Sequence, residues 1–207
     1  DLANGRCGYN SYEVTNLVDA QHSNTLSGGI NFDVNRNLSF FTEFELSRVT
    51  STYIRSPSGV SESGIVWFAQ DGHRNFFQFV LPADHPDNPI GAPVALRYRF
   101  HDVGPTTSEV TVDVSRLLVG AKGSRAGWDW ESAFSHMRID RDTEDKGQLY
   151  FPALVNAIDT QAYRPFGNNS PQTLASISPP IRETGKTTNT SWDLKGSREL
   201  MHLEGGP

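Results

Sequence analysis

Apolar and polar residues alternate with a period of two along several stretches of the chain. The clearest runs are residues 22–33 and 38–47, where most apolar side chains take even positions and polar ones such as Glu43 and Glu45 take odd positions. A period of two predicts β-strands with one apolar face. The polar segment 34–37 between the runs predicts a tight turn, so the sequence indicates a long hairpin.

The same alternation returns four times, which gives about six predicted strands in all; the later stretches are 94–101, 110–119, 128–137 and 188–200. Segments 122–127 and 203–207 predict further short turns. Two connections are much longer, about 48–93 and 139–186. Connections of this length normally carry function or local structure of their own, and the second contains a predicted short helix at 151–158.

Short turns that alternate with long connections are typical of an up-and-down outer-membrane barrel. Strands of roughly ten residues also match the length that crosses a bilayer at a tilt. The predicted fold class is therefore all-β, with antiparallel up-and-down strands of a transmembrane β-barrel and two long extracellular loops. A soluble β-sandwich with two elaborate loops is the alternative that the pattern leaves open.

Composition narrows the function classes. The 207 residues carry a formal net charge of −6, which argues against nucleic acid as a partner because such proteins normally show a basic footprint. Cys7 is the single cysteine, so an internal disulfide framework and zinc sites built on several cysteines are excluded. The role of Cys7 stays open: it could pair with a cysteine outside these residues.

Several segments carry a family resemblance. LRYRFHDVGPTTSEV at 96–110, RLLVGAKG at 116–123 and GWDW at 127–130 resemble the barrel of TonB-dependent receptors, closest to the subgroup with a carboxypeptidase-regulatory-like N-terminal extension. Residues 188–200 with the turn EGGP at 204–207 are similar to the strand and periplasmic turn that follow. Family members generally carry an arginine shortly after Gly104-Pro105, where this chain has Thr106-Thr107.

The resemblance implies that residues 1–207 are part of a barrel, without the plug domain and energy-coupling box of an intact receptor. It implies the outer membrane of a Gram-negative bacterium as the location and outer-membrane lipid as a partner. The intact receptor would take up a siderophore, an oligosaccharide or a similar scarce nutrient. Its energy would come from an inner-membrane complex that acts through the plug, so these residues alone would not transport.

In a barrel, the even-numbered apolar set would face lipid: Leu26, Ile30, Phe32, Leu38, Phe40, Phe44 and Leu46. The odd-numbered polar set would face the lumen: Asn31, Asp33, Glu43 and Glu45. A charged side chain against hydrocarbon costs up to roughly 2–4 kcal/mol at mid-depth, less for acids, so this register would be strongly fixed. Trp128 and Trp130 near a short turn suit an interfacial aromatic girdle, although core packing in a sandwich would explain them nearly as well.

The first long connection concentrates aromatic and polar residues. A transporter captures its ligand in such loops, so the candidate ligand-binding residues are Tyr53, Arg55, Trp67, Phe68, Asp71 and His73. The alternative is that residues 76–81 simply extend a strand. A soluble sandwich would use the same loops to bind carbohydrate or another partner.

The sequence gives little sign of enzymatic chemistry. Residues 59–63 lack the final glycine of a nucleophile elbow, and a sandwich-type hydrolase lacks a convincing acid pair or triad. A metal could be held by Asp71, His73, Asp84, His85 and Asp87, or calcium by Asp84, Asp87 and Asn88. The spacing is not diagnostic and solvated turn residues are the simpler interpretation, so we expect neither an enzyme, nor a metal site, nor a cofactor.

Overall fold

The computed structural model describes residues 8–69 and 71–201. They form a largely antiparallel β structure with two short helices, which confirms the all-β prediction. A 3₁₀ helix covers Ser11–Glu13, and the helices are α1 (Phe151–Asp159) and α2 (Pro171–Ile177). The strands are β1 (Ala20–Asn35), β2 (Leu38–Arg55), β3 (Gly59–Val60), β4 (Ile65–Phe68), β5 (Arg74–Phe77), β6 (Val80–Leu81), β7 (Val94–Ala95), β8 (Tyr98–Arg99), β9 (Thr106–Arg125), β10 (Trp128–Lys146) and β11 (Ile181–Ser197).

The five long strands form one sheet in the order β1-β2-β9-β10-β11. Each strand therefore lies beside its predecessor among the long strands, and β1 and β11 are the two edges. Side-chain contacts show the antiparallel direction: Gln21 bonds Ser51 at 3.4 Å, and Thr25, four residues later, lies 3.0 Å from Ser47, four residues earlier. Such an up-and-down order is what alternating runs joined by turns predict.

A tight turn joins β9 to β10. Its two residues, Ala126 and Gly127, have φ angles of 53° and 77°. Two positive φ angles belong to the hairpin turn whose twist matches that of the flanking strands. Glycine adopts this conformation freely, whereas alanine does so at a steric cost. The turn lies inside the predicted segment 122–127, and the first hairpin turns at residues 36–37, inside the predicted segment 34–37.

The chain divides into two compact units. Among the described residues, the sheet unit comprises Gln21–Ser51, Val110–Thr143 and residues 183–201. The loop unit comprises residues 8–20, the described part of Thr52–Glu109, and Glu144–Arg182. Both long connections thus contribute to one folded body, which agrees with the expectation that they carry structure of their own.

The loop unit has its own hydrophobic core, formed by Val60, Phe77, Phe79, Leu81, Phe100, Leu154, Ala157, Ile158, Tyr163 and Ile177. Phe79 is at its centre, with ring centroids of Tyr98 and Phe100 at 5.7 and 5.8 Å. Hydrogen bonds tie the ends of the connections together: Thr106 Oγ1 donates to the Ser56 carbonyl at 3.1 Å, and Ser58 Oγ donates to the Gly147 carbonyl at 2.8 Å.

The structure corrects the prediction of one long strand at 94–101. These residues form two separate short strands, β7 and β8, which pair with β6 and β3 in the loop unit rather than joining the sheet. The alternation is real, because Phe100 is fully buried while the neighbouring His101 is exposed. It arises from packing on the loop core, and the sheet has five long strands where about six were predicted.

The other boundaries move outward from their predicted positions. The long strands continue to Arg55 and Lys146, so the two connections run over 56–105 and 147–180. The predicted short helix at 151–158 is confirmed as α1. Cys7 and the predicted turn at 203–207 lie outside the described residues. Within the described part of the chain, no helix combines the length and apolar character needed to span a membrane.

Candidate functional site

A large set of apolar side chains lies exposed on the five-stranded sheet. They are 40–69% exposed: Leu26, Ile30, Phe32, Val34, Phe40, Phe44, Leu46, Leu117, Val119, Trp128, Phe134, Trp192 and Leu194. Contiguous apolar patches of this kind on a folded protein mark a contact with lipid or with another molecule.

These residues share one face, which we call the apolar face. The ring of Phe44 lies against Gly28, so the even residues of β1 and β2 point to the same side of the sheet. Arg48 donates a hydrogen bond to Asp113, so the even residues of β2 and the odd residues of β9 point to the same side. Successive side chains of a strand point to opposite faces, so each further residue of the set can be assigned to this face from its odd or even position.

The alignment continues across the rest of the sheet. The ring of Trp130 lies next to Gly123, which aligns odd residues of β9 with even residues of β10. His136 Nδ1 lies 2.8 Å from Thr190 Oγ1, so the even residues of β11 point to the same side as the even residues of β10. The apolar face therefore extends over all five strands.

The apolar face has a defined height. It spans the nine residues Leu26–Val34 in β1 and the nine residues Leu38–Leu46 in β2, without an Asp, Glu, Lys or Arg at the positions of this face. Charged pairs follow directly on the same face, with Arg48 Nε 2.6 Å from Asp113 and Arg138 Nε 2.6 Å from Asp140. Nine residues is the length with which a tilted strand crosses hydrocarbon.

The opposite face, which we call the polar face, carries ion pairs beside half-buried apolar side chains such as Phe41, Val112 and Leu118. Glu43 lies 3.7 Å from Arg116, and Glu131 lies 3.7 Å from Lys195. Its other charged members include Asp33, Glu45, Lys122, Asp129, Arg141 and Asp193. The register expected from the sequence is therefore present: the even-numbered set and the polar set including Asn31 and Glu43 lie on opposite faces.

Two tryptophans on the apolar face have polar partners. The Arg198 guanidinium lies 5.9 Å from the centroid of Trp128. The indole N–H of Trp192 donates to Ser132 Oγ at 2.8 Å. A ring with an apolar body and a satisfied polar end suits a membrane boundary.

The second candidate site is the hairpin of β4 and β5 in the loop unit. Trp67 pairs with Asn75 and Phe68 with Arg74 across it. One face packs inward: Phe77 is buried, and the Trp67 ring stacks on Phe151 with centroids 6.1 Å apart. Trp67, predicted to bind ligand, is thus half-buried and holds the hairpin on the core.

The outer face of this hairpin exposes Val66, Phe68, Phe76 and Arg74. Phe68 is 69% and Phe76 is 64% exposed. The Phe76 ring lies across Gly64, so closely that a Cβ there would come within 2.8 Å of two ring atoms. The ring is therefore held against the backbone while its other side faces solvent. We call these four residues the hairpin platform.

Asp71 and His73 form the tip of the hairpin. Asp71 Oδ2 lies 2.8 Å from His73 Nδ1, and Oδ1 accepts the His73 backbone N–H at 3.0 Å. These hydrogen bonds from His73 lower the pKa of the Asp71 carboxyl. The pair is exposed and lies in the turn between Phe68 and Arg74, so the same hairpin carries Phe68, Asp71 and His73.

Tyr53 and Arg55 are placed differently. Both lie at the end of β2, Tyr53 half-buried and Arg55 exposed. Among the described residues, no hydrogen bond, ion pair or ring contact joins either of them to β4, β5 or the turn between them. The structure therefore does not assemble all six predicted residues into one site.

The candidate metal ligands are dispersed. His85 is buried: its Nδ1 accepts the Asp87 backbone N–H at 3.1 Å and its Nε2 lies 3.3 Å from the Tyr163 carbonyl. Because a backbone N–H can only donate, Nδ1 carries no proton and Nε2–H donates to the carbonyl. The Asp84 carboxyl instead accepts from Gln161 at 3.2 Å.

The Asp87 carboxylate is held by Arg164. Its side chain is 5% exposed and accepts from Nε of Arg164 at 3.0 Å, from a second guanidinium nitrogen and from the Phe166 N–H at 3.1 Å. Asn88 uses its amide nitrogen to donate to the Pro82 and Ala92 carbonyls. In the described part of the chain, no three His, Cys, Asp or Glu side chains are placed to hold a metal.

The ion pair with Arg164 makes the loop unit sensitive to acid. The hydrogen bonds from Arg164 hold the pKa of the Asp87 carboxyl below its usual range. A lowered pKa contributes stability that is complete above about pH 4, the usual value for an unfolded aspartate, and is lost as the pH falls through the folded-state value. We expect the urea midpoint of the loop unit to drop between pH 7 and pH 3, and the drop to be smaller in Asp87→Asn.

Fluorescence of a variant that retains only Trp67 reports this transition. Asp84→Asn is the matched control, because Asp84 is exposed and has no ion pair among the described contacts. Equal acid sensitivity of Asp87→Asn and the unmodified chain would contradict the assignment.

Sequence reasoning left Phe76 within residues 76–81, which could simply extend a strand, and missed Arg74, the cross-strand partner of Phe68. The signal was present, since 65–68 and 74–77 are two short apolar-rich runs around the Asp71-Gly72 turn. It also missed Arg164, which is distant in sequence from Asp87 and carries no local signal.

Comparison with protein-family models, with curated proteins and with solved structures finds no match for this chain.

Proposed function

We propose that the sheet is part of the wall of an outer-membrane β-barrel, and that the chain belongs to a TonB-dependent receptor. The observation that carries the membrane assignment is the apolar face, exposed over five strands and bounded by charged pairs after nine residues. A soluble sandwich needs a second sheet on such a face, whereas most of its large apolar side chains are exposed to solvent.

The sheet edges support a larger barrel. β1 and β11 each pair with one neighbour and are exposed along their whole length. Unpaired backbone N–H and C=O groups are not tolerated in hydrocarbon, where only closed barrels and helices satisfy them. Further strands would therefore pair with both edges, and the polar face with Glu43, Arg116 and Glu131 would line the interior.

The receptor function rests on the resemblance stated above together with the loop unit. A folded loop body with its own core can present a ligand site at the cell surface, and the hairpin platform with Asp71 and His73 is the candidate. Uptake would need binding, rearrangement of a plug and release, with energy from an inner-membrane complex and without covalent chemistry.

The membrane assignment can be tested by bromolipid quenching. In vesicles of lipids brominated on their acyl chains, we expect fluorescence of a variant retaining only Trp192 to be strongly quenched, since that residue is exposed on the apolar face. A variant retaining only Trp67, which packs in the loop core, serves as the matched control and should be unaffected.

Size-exclusion chromatography with circular dichroism complements this test. We expect a monodisperse strand-rich species only in detergent or lipid. A monodisperse monomer without detergent, combined with equal quenching of the two tryptophans, would refute the barrel and favour a soluble ligand-binding sandwich.

A further inference from the structure

We infer that the hairpin platform binds ring-shaped ligands that carry an anionic group, such as a carboxylate. This inference specifies the ligand class of the proposed receptor and rests on that function for its biological meaning. It concerns the loop unit alone, so its physical content can be tested separately from membrane insertion.

The apolar half of the site consists of the two phenylalanine rings. Val66 and Phe76 are direct cross-strand partners, and Phe68 lies on the same face two residues after Val66. Both rings are about two-thirds exposed although the buried core of the same unit lies on the other side of the hairpin. Exposed rings on one face offer stacking area to a flat ligand.

The charged half is Arg74, the direct partner of Phe68 across the hairpin. It is exposed, and no ion pair or hydrogen bond joins its guanidinium to another described residue. Arg164, another arginine of the loop unit, already forms an ion pair with the buried carboxylate of Asp87. An uncommitted guanidinium beside an apolar surface matches a carboxylate through two parallel hydrogen bonds.

The acidic residue at the tip forms no ion pair with Arg74 among the described contacts, because its carboxylate is turned to His73. Each Asp71 oxygen already accepts a hydrogen bond from His73, one from its ring nitrogen and one from its backbone. An anionic ring can form charge-assisted hydrogen bonds with Arg74 in addition to stacking on the two phenylalanine rings, so the platform favours it over a neutral sugar.

The platform is also pre-formed. Trp67 and Phe77 pack the inner face of the hairpin against the core, and the ring centroids of Phe77 and Phe151 are 5.3 Å apart. On the outer face, the Phe76 ring fits against Gly64 because that residue has no Cβ. A surface that is ordered before binding spends less free energy on immobilising its side chains.

The test uses 4-fluorobenzoate and its neutral analogue 4-fluorobenzamide, titrated into the chain in detergent and followed by fluorine NMR, with empty micelles subtracted. We expect benzoate to bind more tightly than benzamide. Arg74→Gln should weaken benzoate binding about fivefold, the upper size for an exposed ion pair, and leave benzamide binding unchanged. Phe76→Ala should weaken both about fivefold through the lost ring contact.

Matched controls are Arg97→Gln, an exposed arginine elsewhere in the loop unit, and Phe166→Ala, a phenylalanine as exposed as Phe68. Neither should change the binding. Absence of benzoate binding, equal affinity for the two compounds, or equal losses in the controls would overturn the inference. Trp192 quenching in vesicles of brominated lipids shows independently whether the membrane assignment has failed.

Discussion

Replacing Ile30 by arginine should destabilise the sheet in a lipid bilayer by about 2–4 kcal/mol. Ile30 is at the middle of the nine-residue apolar stretch of β1 and is 66% exposed on the apolar face. If this face contacts hydrocarbon, the guanidinium is moved from water into the centre of the bilayer, where the cost for a basic side chain is greatest. In water the same exposed position would accept arginine with little effect.

Asn31→Arg is the matched control, because Asn31 is the next residue and lies on the polar face. We expect it to change the free energy of unfolding far less. The measurement is urea-dependent unfolding from phospholipid vesicles, with both variants compared with the unmodified chain in the same vesicles. Equal effects of the two substitutions in vesicles would argue against lipid contact at Ile30.

Replacing Phe79 by alanine should destabilise the loop unit by about 3–5 kcal/mol, the usual cost of removing a fully buried phenylalanine ring. Phe79 has no exposed surface, and the centroids of Tyr98, Phe100 and Tyr163 lie 5.7, 5.8 and 6.3 Å from its own. The cavity left by the ring cannot be refilled without moving these neighbours, which belong to both long connections.

The control is Phe76→Ala, three residues earlier and exposed, which should cost little stability. Trp67 fluorescence during chemical unfolding measures both variants. A loss for Phe79→Ala no larger than that for Phe76→Ala would show that the loop connections do not share a cooperative core.

The sheet could be predicted from the sequence because its signal is local. β1 and β2 carry their apolar side chains mainly at even positions, so a period of two is visible in runs such as 38–47 without knowledge of the partner strand. The same signal misplaced residues 94–101. A strand that packs Phe100 into a small loop core and a strand that exposes Phe40 on a sheet show the same alternation, and only the pairing partner distinguishes them.

The candidate ligand site was predictable in part. Phe68, Asp71 and His73 are near in sequence, so a concentration of aromatic and polar residues located them. The inward orientation of Trp67 depends on Phe151, more than eighty residues later, and no local pattern contains that information. The same holds for Asp87, whose carboxylate looked available to a metal until Arg164 was placed beside it.

The hydrogen bond between Thr106 and the Ser56 carbonyl has a consequence for the order of folding. β1 and β2, and β9 and β10, are joined by tight turns and can pair within microseconds as local hairpins. β2 and β9 are separated by a connection of about fifty residues, and closing a flexible loop of that length carries an entropic cost. If the loop core forms first, this bond at its base holds the end of β2 near the start of β9 and shortens the loop that their pairing must close. We therefore expect the two long connections to contribute to the rate at which the sheet is assembled.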